Sequence, residues 1–251
     1  MIDADQRLSL PDVTLVAVTS VAIPATVAAI RASMAQAQFG EVLLLSDERP
    51  AKLDDAVTWR RVDRIRSRVD YSGFMLRSLV KHVDTSHALC IQWDGFVLDG
   101  GAWDPAFLEY DYIGAPWPHF DDGHNVGNGG FSLRSKRLLE ACAELPVSET
   151  ELEDVLISRR YRPALEASGI RFAPEAVAQR FSYERIAPAG NEFGFHGAFN
   201  LVQHLPARRV TQLFQSLEPG MLARSERWEL LRWAFARGRV RLATNMARRL
   251  I

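Results

Sequence analysis

Four short stretches carry residue types that could do chemistry. In Gln92-Trp93-Asp94-Gly95 an apolar run delivers one carboxylate to the end of a strand. Such a group can hold a hard divalent cation, Mg²⁺ or Mn²⁺, which takes carboxylate and phosphate oxygens together. The plainer alternative is a turn aspartate that caps the next element. In Val126-Gly127-Asn128-Gly129-Gly130-Phe131, three glycines surround one asparagine. That composition suits a backbone with several positive-φ positions, or one that lies close to a ligand. It matches neither a Walker A loop nor the dinucleotide fingerprint, and a loop feeding a β-hairpin is the structural alternative. Adjacent acids at Glu153-Asp154 either complement a helix dipole or supply a general base. His196 lies between Phe195 and Gly197. It is either a metal ligand or a core histidine bonded to backbone.

The elements that must position these residues follow from periodicity. Val13 to Thr19 is a short β-branched apolar run and Glu41 to Ser46 a second apolar run, each with the character of a buried strand. Between them Ile23 to Gln36 reads as a helix, with Pro24 in its first turn. The resulting β-α-β opening predicts a parallel sheet whose ligands gather at the strands' C-terminal ends. A short strand is expected around Val57 to Val62, a helix over Tyr71 to Val83, and a buried strand over His87 to Gln92. Phe96 to Leu98 continues apolar, and Pro105 to Tyr110 is a short helix. Tyr112 to Pro118 must be extended, because its two prolines restrict what precedes them. After a polar loop, Gly129 to Arg134 returns to a strand and Ser135 to Leu145 to a helix. Thr150 to Tyr161 is expected to be helical, with Thr150 and Glu153 in capping-box spacing. Ile170 to Pro174 reads as a strand, Glu175 to Phe181 as a short helix, and Phe193 to Gly197 as an aromatic, glycine-flanked loop.

Composition narrows the function classes. The chain has 251 residues, is 47% hydrophobic and carries a formal net charge of −1, so no global basic excess points to nucleic acid. Cys90 and Cys142 sit in apolar runs without ligand spacing and are expected to be free and buried. Met1 to Asp12 is polar and lacks a signal-peptide core. No apolar run reaches the ~18 residues that span a bilayer. The expected location is the cytoplasm, with contact at the inner membrane surface as the further option.

The order of the four stretches resembles the GT-A glycosyltransferases. Those enzymes carry a metal-binding Asp-x-Asp motif, a glycine loop, an x-Glu-Asp motif and a late metal-binding histidine. The matching segments here are Gln92-Trp93-Asp94, Gly127 to Gly130, Leu152-Glu153-Asp154 and His196. Gln92 to Leu98, Tyr110 to Trp117, Gly127 to Ser135 and Phe193 to Gly197 also resemble a bacterial family of GT-A-like proteins catalogued as a domain of unknown function. The resemblance covers roughly Val13 to Asn200 and departs from the pattern at Gln92, where the first motif aspartate is expected. It implies an α/β fold of GT-A-like Rossmann type: a mixed sheet flanked by helices, with a helical C-terminal extension. A catalytic domain would span residues 1–200 and the extension 201–251.

The same resemblance implies an inverting, metal-assisted transfer from a nucleotide-sugar donor, UDP by default, to a hydroxyl of a glycan or lipid-linked acceptor. Asp94 and His196 would bind Mn²⁺ or Mg²⁺. Asp154, with Glu153 beside it, would take the acceptor proton. Thr19, Ser20, Asp47, Arg77, Lys81, Trp93, Gly129 and Gly130 would face the donor. An inactive nucleotide-sugar or glycan-binding protein of the same fold is the main alternative, supported by Gln92. A donor hydrolase is another. A nucleotidyltransferase ranks third, behind the transferase and the binding protein, because Val18 to Ala25 has no glycine or lysine.

Residues 219–251 differ in character. They carry eight arginines, no lysine and two glutamates, a local formal charge of +6. These helices are expected to pack on the catalytic domain, form a homodimer surface or lie on anionic lipid. Arg237, Arg239 and Arg241 are too closely spaced for one helical stripe.

Overall fold

A computed structural model describes residues 7–217, 222, 224–236, 238, 240, 243 and 244. Its centre is a six-stranded mixed sheet in the order β3-β2-β1-β4-β9-β6, formed by β1 (Leu8–Val18), β2 (Ala37–Ser46), β3 (Thr58–Arg61), β4 (His87–Ile91), β6 (Tyr112–Ile113) and β9 (Phe131–Ser135). β1, β2, β3 and β4 run parallel; β9 is antiparallel to both β4 and β6. The chain winds outward from β1 through β2 to β3, then returns to place β4 on the other side of β1. The gap between the carboxyl ends of β1 and β4 is therefore the topological switch point, where open α/β sheets hold ligands.

Both faces of the sheet are covered, which explains why its strands read as continuous apolar runs. One face buries Leu15, Ala17, Leu44, Leu89 and Ile91 against Val27, Ala29 and Ile30 of helix α1 (Ile23–Gln36). The other buries Val16, Val18, Leu43, Leu45, Ala88 and Cys90 against Met75 of α2 (Arg68–Arg77) and Leu139 of α3 (Lys136–Ala143). Cys90 and Cys142 are free and buried. β1 and β2 begin several residues before the expected starts, at Leu8 and Ala37. Pro11 hides this extension, since proline interrupts a ladder. The register shifts between Leu10 and Thr14, and Gly40 opposite supplies the room: a β-carbon there would meet the Pro11 carbonyl oxygen at 2.0 Å.

Other expectations need correction. The helix over Tyr71 to Val83 begins earlier, at Arg68, where Ser67 accepts the Asp70 amide at 3.0 Å. It ends at Arg77 and continues only as a 3-10 turn over Leu79–Lys81. The helix expected from Thr150 to Tyr161 is instead one turn, α4 (Glu153–Val155), followed by a π-helical turn over Leu156–Arg160 and then α5 (Arg162–Ala167). No Thr150 capping box forms. Leu152 is the N-cap, and the Glu153 amide donates to Ser72 Oγ at 3.1 Å, 81 residues away in sequence. Ile170 to Pro174 makes only one bridge, Phe172 to Tyr112. The Phe193–Gly197 loop contains a two-residue strand, β11 (Gly194–Phe195), between β5 (Phe96–Val97) and β10 (Ser182–Tyr183).

The boundary at residue 200 falls inside α7 (Ala198–His204). Helices α8 (Ala207–Ser216) and α9 (Arg224–Ala236) follow. Ala198 and Val202 share a buried cluster with Val210, Leu230, Leu231 and Ala234, against which Trp93 packs. Arg237, Arg239 and Arg241 lie outside the described residues. Among the described residues, no helix is long and apolar enough to cross a membrane.

Asp111 ties the back of the sheet together. It accepts Ser135 Oγ at 2.5 Å, Arg137 Nε at 3.2 Å and the Arg171 amide at 2.7 Å. Burial alone would raise its carboxyl, but Arg137, Ser135 and the Arg171 amide outweigh it and hold the group below the usual carboxylate range. A depressed folded-state value means stability that is present above the unfolded-state pKa and lost as pH falls through the folded one. Asp111→Asn should therefore cost about 1.5–3 kcal/mol at pH 7, the worth of a hydrogen bond to a charged group. The deficit should shrink in acid below the usual aspartate range, as read by urea unfolding at both pH values.

Candidate active site

The four stretches meet at the switch point. A cavity of ≈ 550 Å³ opens there, lined by Val18 to Val21 after β1, Gln92 to Asp94 after β4, Asn128 to Gly130 before β9, Leu152 to Asp154 on α4, and Glu184 and His196. Its fourth side comes from Ile65, Arg66, Ser67, Arg68 and Tyr71 at the start of α2, and from Leu222 and Glu226 near and on α9.

Asp94 and His196 face each other. His196 Nε2 lies 3.3 Å from Asp94 Oδ1, and both atoms are buried without a hydrogen-bond partner. His196 Nδ1 lies 3.5 Å from Glu184 Oε1 and 3.2 Å from Asn128 Nδ2. Burial alone would lower the imidazole; Asp94 and then Glu184 outweigh it and hold His196 well above its ordinary value. The two carboxylates thus favour the protonated ring, whose single charge offsets one of theirs. The backbone also fixes this ring: the His196 amide donates to the Tyr183 carbonyl at 3.0 Å, and Asn200 Nδ2 to the His196 carbonyl at 2.7 Å.

The glycine-rich loop is built for clearance more than for unusual φ. Of its four residues only Asn128 has positive φ, at 73°. Its Oδ1 accepts the Gly130 amide at 2.9 Å, which closes the turn. A β-carbon on Gly127 would meet the Trp117 ring at 2.1 Å, one on Gly129 Glu153 Oε1 at 2.2 Å, and one on Gly130 His196 Nε2 at 2.0 Å.

The two neighbouring acids have different fates. Asp154 is partly exposed at the cavity; Oδ2 accepts the Gly129 amide at 3.0 Å and Oδ1 the Val155 amide at 2.8 Å. A carboxylate has about four lone-pair sites, so each oxygen can still accept a proton from a bound hydroxyl. Glu153 turns into the interior, where Oε1 meets Arg134 NH2 at 3.1 Å. Arg134 is fully buried on β9, and its Nε donates to Ser132 Oγ at 3.0 Å. Glu153 is thus engaged by the buried Arg134, whereas the sequence reading places it beside Asp154 as a second acid.

Trp93, Gly129 and Gly130 line the cavity as expected, and so do Thr19 and Ser20, but their hydroxyls are engaged within the chain. Thr19 Oγ1 accepts the Val21 amide at 3.1 Å and donates back to the Val21 carbonyl. Ser20 Oγ accepts the Ile65 amide at 2.8 Å and so joins two cavity walls. Asp47, Arg77 and Lys81 are not among the lining residues. Asp47 follows β2, one strand away from the switch point, with Arg64 Nε at 3.8 Å. Arg77 and Lys81 are exposed, at the far end of α2 and beyond it. The arginines that reach the cavity are Arg66 and Arg68, at the opposite end of the same helix. They were not singled out from sequence, nor were Tyr71 and Glu184. Tyr71 had only its place in the helical pattern, and Glu184 no local signal at all.

Gly130→Ala should force His196 aside and cost about 1–3 kcal/mol, the usual range for overpacking. Adding His196→Ala should restore part of that loss, because the obstructing ring is gone. Chemical denaturation of both single variants and the double variant measures the coupling; strictly additive losses would contradict the contact.

No curated protein matches the chain at a significant level. The family model described as "Protein of unknown function (DUF5672)" matches residues 57–196. That span runs from the start of β3 to His196 and holds all four stretches of the site. It covers more than half of the chain, which therefore belongs to the family of proteins of unknown function DUF5672.

Proposed function

We propose that the chain is a GT-A-type glycosyltransferase, moving a sugar from a nucleotide-sugar donor, UDP-linked by default, to a hydroxyl of a glycan or lipid-linked acceptor. The observation that carries this reading is the convergence of Asp94, His196, the glycine loop and Asp154 on one cavity at the β1–β4 switch point. The nucleotide fits the side bounded by Val18 to Val21 and Ile65 to Arg68. Arg66 and Arg68 bring positive charge to a diphosphate there, at a helix N-terminus that favours anions.

A divalent cation, Mn²⁺ or Mg²⁺, suits the donor set. Asp94 Oδ1 and His196 Nε2 are buried, orphaned and adjacent, an oxygen and an imidazole nitrogen of the kind such ions accept. Among the described residues no group of three His, Cys, Asp or Glu side chains is arranged to hold a metal. Asp94 and His196 would hold the ion with two protein groups, the small number usual for Mg²⁺. When bound, the ion would act as a Lewis acid on the departing diphosphate.

The chain's own groups perform the rest. The absence of side chains at Gly129 and Gly130 makes room for Glu153 and His196 at the cavity wall. Asp154 takes the proton of the acceptor hydroxyl as its oxygen attacks the anomeric carbon. The bond from that carbon to the diphosphate breaks, and the nucleoside diphosphate leaves with the electron pair. One displacement inverts the anomeric centre. Gln92, which stands where a second motif acid would, supports a binding-only alternative.

Asp154→Asn should keep donor affinity within about threefold while lowering transfer by 10²-fold or more, the usual worth of a general base. Calorimetry and product analysis read the two effects separately. Donor binding without turnover in the native chain, under any acceptor tried, would favour the binding-only reading. Asp94→Ala and His196→Ala should each weaken donor binding in Mn²⁺ but not in its absence. Identical nucleotide affinity with and without Mn²⁺ in the native chain would remove the metal assignment.

A further inference from the structure

We propose that the outward face of α9 seats the protein on an anionic lipid surface. The last helices have two distinct sides. Leu230, Leu231 and Ala234 turn inward and are buried against α7 and Val210. Trp228 and Phe235 turn outward, 56% and 58% exposed, with exposed Arg232 between them. Residues 228, 232 and 235 stand four and three apart, so they form one stripe along the helix. Val240, just beyond, is 57% exposed. The other exposed large apolar residues of the described chain, Val69 and Leu152, are each 38% exposed and lie elsewhere. Among the described residues, the large apolar side chains most open to water are thus gathered on one short segment.

Charge selects the occupant. Residues 219–251 carry +6, so the remaining residues carry −7 of the chain's net −1. Of the two glutamates in the segment, Glu229 pairs with Arg185 at 3.3 Å and Glu226 lines the cavity. Exposed tryptophan and phenylalanine beside arginine match the headgroup boundary, where rings sit among acyl chains and guanidinium groups meet phosphate. Each basic residue near an anionic surface strengthens binding roughly fivefold. A second copy docked symmetrically through the same face would instead bring Arg232 against its own counterpart, because a two-fold contact pairs a surface with itself.

The helix that carries this face also borders the site through its other side. Glu226 of α9 and Leu222 before it line the cavity, and Trp93, next to Asp94, packs on the same buried cluster. On the glycosyl-transfer reading, a protein seated this way takes its acceptor hydroxyl from a lipid-borne molecule in the plane of the bilayer.

The test is co-sedimentation of the full chain with vesicles of phosphatidylcholine alone and of phosphatidylcholine mixed with phosphatidylglycerol. Binding is expected on the anionic vesicles, weaker on the neutral ones, and reduced by salt. Trp228→Ala/Phe235→Ala and, separately, Arg232→Glu should each lower it roughly tenfold. Thermal unfolding and Mn²⁺-dependent nucleotide binding in solution should stay unchanged in both variants, since none of these residues lines the cavity. Equal recovery with both lipids, no recovery with either, or full binding by the variants would overturn the proposal. A dimer in light scattering that Trp228→Ala/Phe235→Ala dissolves would assign the face to a second copy. Vesicle binding is read without substrate, so its failure is distinct from failure of the glycosyl-transfer reading, which the nucleotide and product assays decide.

Discussion

The site rests on one buried ion pair, Arg134 with Glu153. A guanidinium with no exposed surface is costly to bury, and its 3.1 Å contact with Glu153 is what makes that burial tolerable. Burial, then the adjacent Asp154, push the Glu153 carboxyl upward, and Arg134 opposes them. The pair lies directly beneath Gly129, where a β-carbon would strike Glu153 and approach Arg134 to 3.1 Å. Because Glu153 is pinned inward by Arg134 and by Ser72, the next residue, Asp154, is presented to the cavity and reaches the Gly129 amide. Removing one partner leaves an uncompensated charge in the interior, typically at about 3–5 kcal/mol. One internal contact therefore fixes the α4 turn, the glycine loop and the exposed acid together.

The rest of the cavity obeys a similar economy of contact. Asp94 is delivered by a turn in which the Gly95 amide donates to the Gln92 carbonyl at 3.3 Å, and a β-carbon on Gly95 would meet the Phe195 carbonyl oxygen at 2.7 Å. His196 follows directly on that strand. Asp94 and His196 are separated by about a hundred residues, yet the antiparallel pairing of Phe96 with Phe195 sets their backbones side by side. The β1–α1 turn adds local strain, since Ala22 sits at φ 49°. Non-glycine residues rarely adopt that conformation, and it persists where surrounding contacts over-determine it.

Much of the scaffold was legible because its strands are buried on both faces and its first helix carries Pro24 in the right place. The β-α-β opening, α1 within its expected bounds, β4 and α6 (Glu175–Phe181) all follow from local pattern. The site was legible only as separated fragments whose order suggested a shared rim. What sequence could not supply were the long-range partners. Ser72 satisfies the Glu153 amide from another helix, so the local capping signal at Thr150 went unused. Asp47 ends an apolar strand just as Asp94 does, yet one strand's displacement from the switch point removes it from the cavity. Arg77 and Lys81 had the right charge on the wrong end of α2. Nothing around Glu184 announces that it meets His196, because that contact exists only once β10 pairs with β11.

Trp93 belongs to two packing environments at once, the main core and the cluster formed by α7 and α9. Its backbone is joined to that of Asp94 by a single peptide bond. The C-terminal helices and the acid of the site thus share a packing neighbour one peptide bond from that acid. Leu222 and Glu226 form part of the cavity's wall, so clipping off the segment that carries them would alter the pocket and not merely shorten the protein.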